Sequence, residues 1–465
     1  MPEAGPAPPG SSMRTFLIIW LGQAVSAIGT ALSAFALAIW VFTSTRSATS
    51  FTMVAFFAST PLLVLAPLAG VVADRRDRRR LLLATDLLSA AMTAAMALAF
   101  ASGRVRVWYV YPYVAAVMSL GVFRSPALLA SVSLLVPRRH LARASGMSAA
   151  SAAAAAILGP LLAGAMIAPV GYRGLLLIDA ATFLVGALTL ALVRIPRLAA
   201  GASGAAEDGR GRRRAPFASQ AAYGWHYIRA RPGLLMLMLL FLTVNFSLTF
   251  VQALLGPLIL SFASPAALGA VNAVLAGATL AGAVALSAWG GPRQRVPAIL
   301  CCLAVDGALL IAGGSRPSLP LIGAAGALFM FTIPIVNGCS EAIWQSKVPN
   351  EVQGRVFGAR RTVALAVVPL AYLLSGPLAD RVCNPLLMSG GALAGSLGRW
   401  IGVGPGRGIG LLFLVMGVAV LATVAGFSRQ PRLRCLEQEL PDAAATAPPT
   451  AAAPGFVPMQ APGTP

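Results

Sequence analysis

Long apolar runs, separated by short polar knots, alternate along most of the chain. Twelve runs are legible, at 15–42, 50–73, 81–102, 107–136, 146–168, 174–195, 233–260, 266–289, 297–313, 319–345, 357–379 and 408–428. All but one reach the 18 or so residues that carry a helix across the hydrocarbon of a bilayer. The runs are continuous rather than alternating, which excludes the dyad pattern of membrane β-barrels. The expected fold is an all-α integral membrane protein of twelve transmembrane helices in two six-helix halves, 14–195 and 233–430. Between them, 196–232 is polar and carries Phe217, Tyr223, Trp225 and Ile228 at helical spacing, predicting an amphipathic helix on the membrane surface. The ends, 1–13 and 431–465, are rich in Pro, Gly and Ala and are expected to be disordered tails.

Composition supports this reading. Only 11% of the 465 residues are charged and 58% are hydrophobic, where a soluble domain carries about 25% charged residues. A net charge of +21 would suggest nucleic acid on a soluble protein. Here the arginines sit in short loops, so topology explains them and no nucleic-acid partner is expected. On the side of the N-terminus lie 26 Lys and Arg residues, against 8 on the other side, with Arg124 inside a span. The bias places both termini in the cytoplasm. Lys347 is the single lysine among 35 basic residues in an Ala-, Gly- and Pro-rich chain, a bias that points to a bacterial plasma membrane. The five cysteines show no metal-ligand spacing and are read as small core residues. His140 and His226 lack metal partners in the sequence, and no phosphate-binding G-x-x-x-x-G-K-[ST] loop occurs. An enzyme, a metal site and a bound cofactor are therefore not expected.

The second half echoes the first at an offset of 212. Leu68–Gly70 recurs at Leu280–Gly282, and "VPRRHLARASG" from Val136 recurs as "VPNEVQGRVFG" from Val348. A repeated six-helix unit is the plan of transporters whose halves rock about a midplane site.

The loop "GVVADRRDRR", from Gly70, resembles the loop 2–3 signature of the major facilitator superfamily, G-x-x-x-D-R/K-x-G-R-R/K. Gly70, Asp74, Arg75, Arg78 and Arg79 match it, and Asp77 replaces the inner glycine, as in the branch of macrolide-efflux and enterobactin-exporter proteins. "LIDAATFLVGAL", "AIWQSKVPNEVQGRVFGARR" and "SGPLADRV" are similar to the same branch. The resemblance implies that Gly70 lets helices approach closely. It also implies that Asp74, facing a helix N-terminus of the other half, latches the outward-open state. "ILGPLLAG", Ile157–Gly164, resembles the exporter signature G-P-x-x-G-G; Gly159 and Gly164 would admit a neighbour and Pro160 would bend the span. The implied activity is export of a drug, antibiotic or siderophore by a monomer, energised by the proton gradient. Metabolite uptake, lipid flipping and a non-transporting sensor or scaffold are the rival readings.

Ionisable residues inside spans are costly and mark function. Asp86, Asp179, Asp306 and Glu341 are candidate proton or ion-coupling residues, and Arg124, Gln23, Asn245 and Asn337 are candidate cavity residues. Asp86 is expected to pair with the basic loop, and Arg124 with Asp179, Glu341 or a substrate anion. Asp306 is expected to snorkel or to bond neighbouring backbone.

Overall fold

The computed structural model describes residues 13–137, 140–193 and 217–434; both predicted tails beyond this range lie outside the described residues, as does most of the linker. Helix α1 (Met13–Thr45) runs from what we term the near end of the bundle to the far end. The chain then alternates: α2 (Ala48–Arg75) returns, α3 (Arg78–Ala101) goes out and α4 (Val107–Leu135) comes back.

Helix α5 (Leu141–Leu192) has 52 residues and would measure about 78 Å if straight, far beyond the roughly 30 Å of hydrocarbon. It is broken at Gly171, whose φ of 70° and ψ of 170° suit only glycine. The limbs 141–170 and 172–192 make the fifth and sixth crossings. The loop expected between these spans is thus a one-residue break. Eleven described helices are long and apolar enough to cross a membrane, and the two limbs of α5 bring the crossings to twelve.

Helix α6 (Phe217–Arg229) leads into the second half: α7 (Pro232–Leu260), α8 (Pro265–Trp289), α9 (Arg295–Ser315), α10 (Leu319–Lys347) and α11 (Asn350–Pro377). The eleventh span begins earlier than the apolar run indicates, because α11 includes the polar stretch from Asn350. It continues as a π-helical stretch, Leu378–Cys383, and the short α12 (Asn384–Leu387). After α13 (Gly398–Ile401), α14 (Arg407–Ser428) makes the last crossing and α15 (Pro431–Arg434) follows. The amphipathic α6 seats its buried Ile228 in the protein core and lies against α11, with Tyr223 5.1 Å from the Arg355 guanidinium carbon. Its Tyr223 and Trp225 remain exposed.

The main apolar cluster joins the halves, and its first-half members are Ile39, Phe42 and Ala48, all from the far end. The near-end residues of the first half, among them Phe16, Ile19, Leu82 and Leu190, form a separate cluster. Apolar burial therefore closes the halves against each other at the far end.

Candidate functional site

The first half holds its charges around α1. Asp86 of α3 is fully buried, and its partner is Arg124 of α4, with Nη1 3.1 Å from Oδ1. Gln23 of α1 donates to the other carboxylate oxygen at 2.9 Å, and Arg124 also reaches the Ser26 hydroxyl at 3.4 Å. The expected pairing of Asp86 with the basic loop is therefore corrected: a cation at its own membrane depth removes the need for a distant one. The Arg124 side chain is 20% exposed where Asp86 is 0% exposed, so the arginine screens the acid. It lines a near-end cavity of about 190 Å³ with Gln23, Trp20, Leu128 and Ser151.

Asp179, on the second limb of α5, is equally buried but is held by neutral groups. Ser33 donates to it at 2.5 Å, and Thr182 lies 3.5 Å away. It is not the ion-pair partner of Arg124, and neither is Glu341. Glu341 of α10 pairs instead with Arg360 of α11 in the second half. The Arg360 guanidinium carbon lies 5.3 Å from the Trp344 ring centroid and 5.5 Å from that of Phe357. Asn245, Asn337, Ser340, Glu341, Trp344 and Arg360 line a second cavity of about 180 Å³. Each of these two cavities falls below the roughly 300–1,000 Å³ of a drug-sized site; a larger one, about 870 Å³, lies at the far end of the first half between α2 and α4, lined by Met53, Phe57, Trp108 and Tyr111.

Arg360 is absent from the sequence reading because it stands in a basic stretch that served only as a topology marker. Asp306 of α9 accepts from the Thr332 hydroxyl of α10 at 2.7 Å; among the described residues it neither snorkels nor bonds backbone, because its side chain is buried between α9 and α10 against that hydroxyl.

The loop between α2 and α3 is described at Asp77 and Arg79. Asp77 caps α3, accepting from the backbone N–H groups of Arg79 and Arg80 at 3.0 and 3.2 Å. Arg79 donates to the carbonyls of Leu190 and Ala191 at 3.1 and 2.7 Å, the last turn of α5, where a cation complements the helix dipole. This contact stays within the first half. Arg78 opens α3, and the side chains of Asp74 and Arg75 lie outside the described residues. A Cβ at Gly70 would meet nothing within 4 Å among the described residues.

Gly159 and Gly164 do admit neighbours. Gly159 faces Ala31 of α1, and Gly164 faces Pro265, Ala266 and Gly269 of α8 in the other half. Pro160 leaves α5 with helical backbone angles; the break comes later, at Gly171, where glycine tolerates what proline does not impose.

Residues 19–372 match the Major Facilitator Superfamily. Macrolide efflux protein A of Streptococcus pyogenes is 26% identical over 372 residues, covering 79% of this chain and 90% of that protein. The multidrug efflux pump Tap of Mycolicibacterium fortuitum is 26% identical over 374 residues, covering 78% and 89%. Among solved structures, a bacterial homolog of the human lysosomal transporter Spinster, inward-facing and occupied, superposes with a TM-score of 0.67 at 15% identity, covering 91% of this chain and 98% of that one. With the match covering most of its length, and with two six-crossing halves about paired cavities, the chain is a transporter of the Major Facilitator Superfamily, a multi-pass membrane protein and not an enzyme.

Proposed function

We propose that the chain exports a small amphipathic compound, a drug, antibiotic or siderophore, by proton-coupled alternating access in a bacterial plasma membrane. The observation that carries this reading is the pair of cavities at membrane depth, one in each half: one lined by the Glu341–Arg360 pair, the other by Arg124, whose carboxylate partner Asp86 is buried behind it. Isolated charges at such depth cost several kcal/mol and persist where they are used. The positive-inside bias makes the near end cytoplasmic. With the halves joined at the far end, substrate loads from the cytoplasm. Export rather than uptake is supported by the names of the relatives and by Gly159, Pro160 and Gly164.

The two ion pairs divide the work. Glu341 and Arg360 are 41% and 27% exposed and face the ligand beside Trp344. Asp86 is reached from its cavity past Arg124. A proton and the Arg124 guanidinium compete for the one Asp86 carboxylate, so the ion pair is made in one protonation state and broken in the other, which couples the position of Arg124 at the cavity to the proton. Asp179 and Asp306, held by hydroxyls, have no cation partner at ion-pair distance among the described residues and support the packing of α1 on α5 and of α9 on α10.

The test is export in proteoliposomes with an imposed proton gradient. A protonophore should abolish uphill export, and removing ATP should leave it intact. Asp86→Asn should lose uphill export while keeping substrate exchange down its own gradient. ATP-dependent export that survives the protonophore would overturn the reading.

A further inference from the structure

The start of α2 and the end of α11 meet at the far end, and one carboxylate joins them. Asp380, in "SGPLADRV", accepts four hydrogen bonds from residues 331 to 333 positions away in the chain. The Ser47 hydroxyl donates to Oδ2 at 2.7 Å, the Thr49 N–H and Thr49 hydroxyl to Oδ2 at 2.8 Å each, and the Ala48 N–H to Oδ1 at 3.1 Å. Ala48 and Thr49 are the first residues of α2. Their N–H groups are among those a helix leaves without internal partners, and the positive end of the helix dipole lies there. An acid from the second half thus serves the N-terminus of a helix of the first.

We propose that Asp380 is a positioning residue of the transport cycle, a releasable clasp that holds the far end shut and biases the protein toward its near-open state. The inference rests on the alternating-access reading. Three features separate a clasp from ordinary packing. The α2 terminus already has its own cap, since the Ser47 hydroxyl oxygen accepts the Ser50 N–H at 3.2 Å; Asp380 is an addition that joins the halves. All four donors are neutral and both partners are part-exposed, so on separation water replaces the donors and no charge is stranded in lipid. Asp380 also stands in the π-helical stretch that follows Pro377. Such stretches insert one residue into a helical turn and recur at functional sites, and this one sets the direction in which Asp380 projects. Just before it, Gly376 lies so near Thr49 and Thr52 that no side chain fits between, which brings α2 within reach of the carboxylate.

The test reads conformation, not transport. Thr52→Cys places a thiol where the wild-type residue is buried in the seam; its labelling by a membrane-impermeant maleimide is followed in right-side-out vesicles holding the full chain. Asp380→Asn should raise the labelling rate about tenfold or more, the scale expected when charge-assisted bonds are removed. Adding Thr49→Ala to Asp380→Asn should raise it no further, because both changes break one contact. An unchanged rate in a folded Asp380→Asn protein would overturn the clasp. If that variant fails to fold, Ser47→Ala with Thr49→Ala attacks the contact from α2, and an unchanged rate there overturns it equally. Faster labelling in a protein that exports nothing would sink the export reading and leave the clasp standing; normal export with unchanged labelling would do the reverse.

Discussion

Two seams join the halves at the far end, and they are built in opposite ways. Between α2 and α11, a glycine contact at Gly376 is flanked by the Asp380 carboxylate and its four donors. Between α5 and α8, Gly164 and Gly269 bring backbone against backbone, the Pro160 carbonyl faces Gly269, and Ser264 spends its hydroxyl capping its own helix at Ala267. Among the described residues no side-chain hydrogen bond crosses that second seam. A hydrogen-bonded carboxylate has a preferred geometry and is either made or broken. A small-residue contact relies on dispersion, changes gradually with sliding, and has weak preference for one register. The first seam therefore suits a latch and the second a bearing. Alternating access needs both: a contact that reports open or closed, and a surface on which the halves turn.

The comparison breaks most visibly at the bearing. Gly269→Leu puts a Cβ 3.3 Å from the Gly164 Cα and still closer to the Pro160 carbonyl, both backbone. Backbone cannot rotate away as a side chain can, so α5 and α8 must separate. The expected cost is about 1–3 kcal/mol, seen as a lower midpoint of thermal unfolding in detergent together with loss of export. Unchanged stability and export would mean that the seam is loose, and the bearing assignment would fall.

A smaller effect separates the donors of the latch. Ser47→Ala removes a donor to Asp380 and also the cap on Ser50, whereas Thr49→Ala removes only a hydroxyl donor, since its N–H remains. A cap is worth about 1 kcal/mol and a hydroxyl bond to a charged group about 1.5–3 kcal/mol when no water can substitute. Water reaches this site, so Thr49→Ala should fall below that range and Ser47→Ala should exceed it in unfolding midpoint. Thr49→Ser, which keeps the hydroxyl, should match the wild type. Equal effects of Ser47→Ala and Thr49→Ser would show that the hydroxyls do not hold the carboxylate.

How far the sequence announces these features follows from the range of the interactions. Crossing segments depend on local apolar content, so the runs locate ten helices and both limbs of α5. The break at Gly171 was legible as a gap between runs, though not as a single residue. The charged residues Asp86, Arg124, Asp179, Asp306 and Glu341 stood out because charge inside an apolar run is a local contrast. Their partners did not, because pairing depends on which helices neighbour each other: Arg124 meets Asp86 across 38 residues, not Asp179 or Glu341. Arg360 and Asp380 passed unnoticed for a different reason. Arg360 stands among the arginines of the polar first half of α11 and Asp380 just past its end, where a charge is unremarkable until the opposite helix is known. The one available signal for Asp380 was the run "SATS" after Arg46, a cluster of capping residues at the start of a span.

The smallest expected effect tests the bearing from its other side. Gly164→Ala adds a Cβ 2.8 Å from the Pro265 carbonyl oxygen and 3.1 Å from the Ala266 Cα, both backbone, so the first turn of α8 must shift to admit it. Alanine in a helix interior is also favoured over glycine by about 0.8–1.0 kcal/mol, and the two terms oppose each other. If the contact is as tight as the geometry indicates, crowding exceeds propensity and the unfolding midpoint falls slightly, by an amount worth less than about 1 kcal/mol. Gly277→Ala is the control. It sits inside α8, where an added Cβ meets nothing within 4 Å among the described residues, so propensity acts alone and the midpoint should rise. If both variants are stabilised to the same degree, Gly164 is not in contact with α8, and the distinction between latch and bearing reduces to the latch.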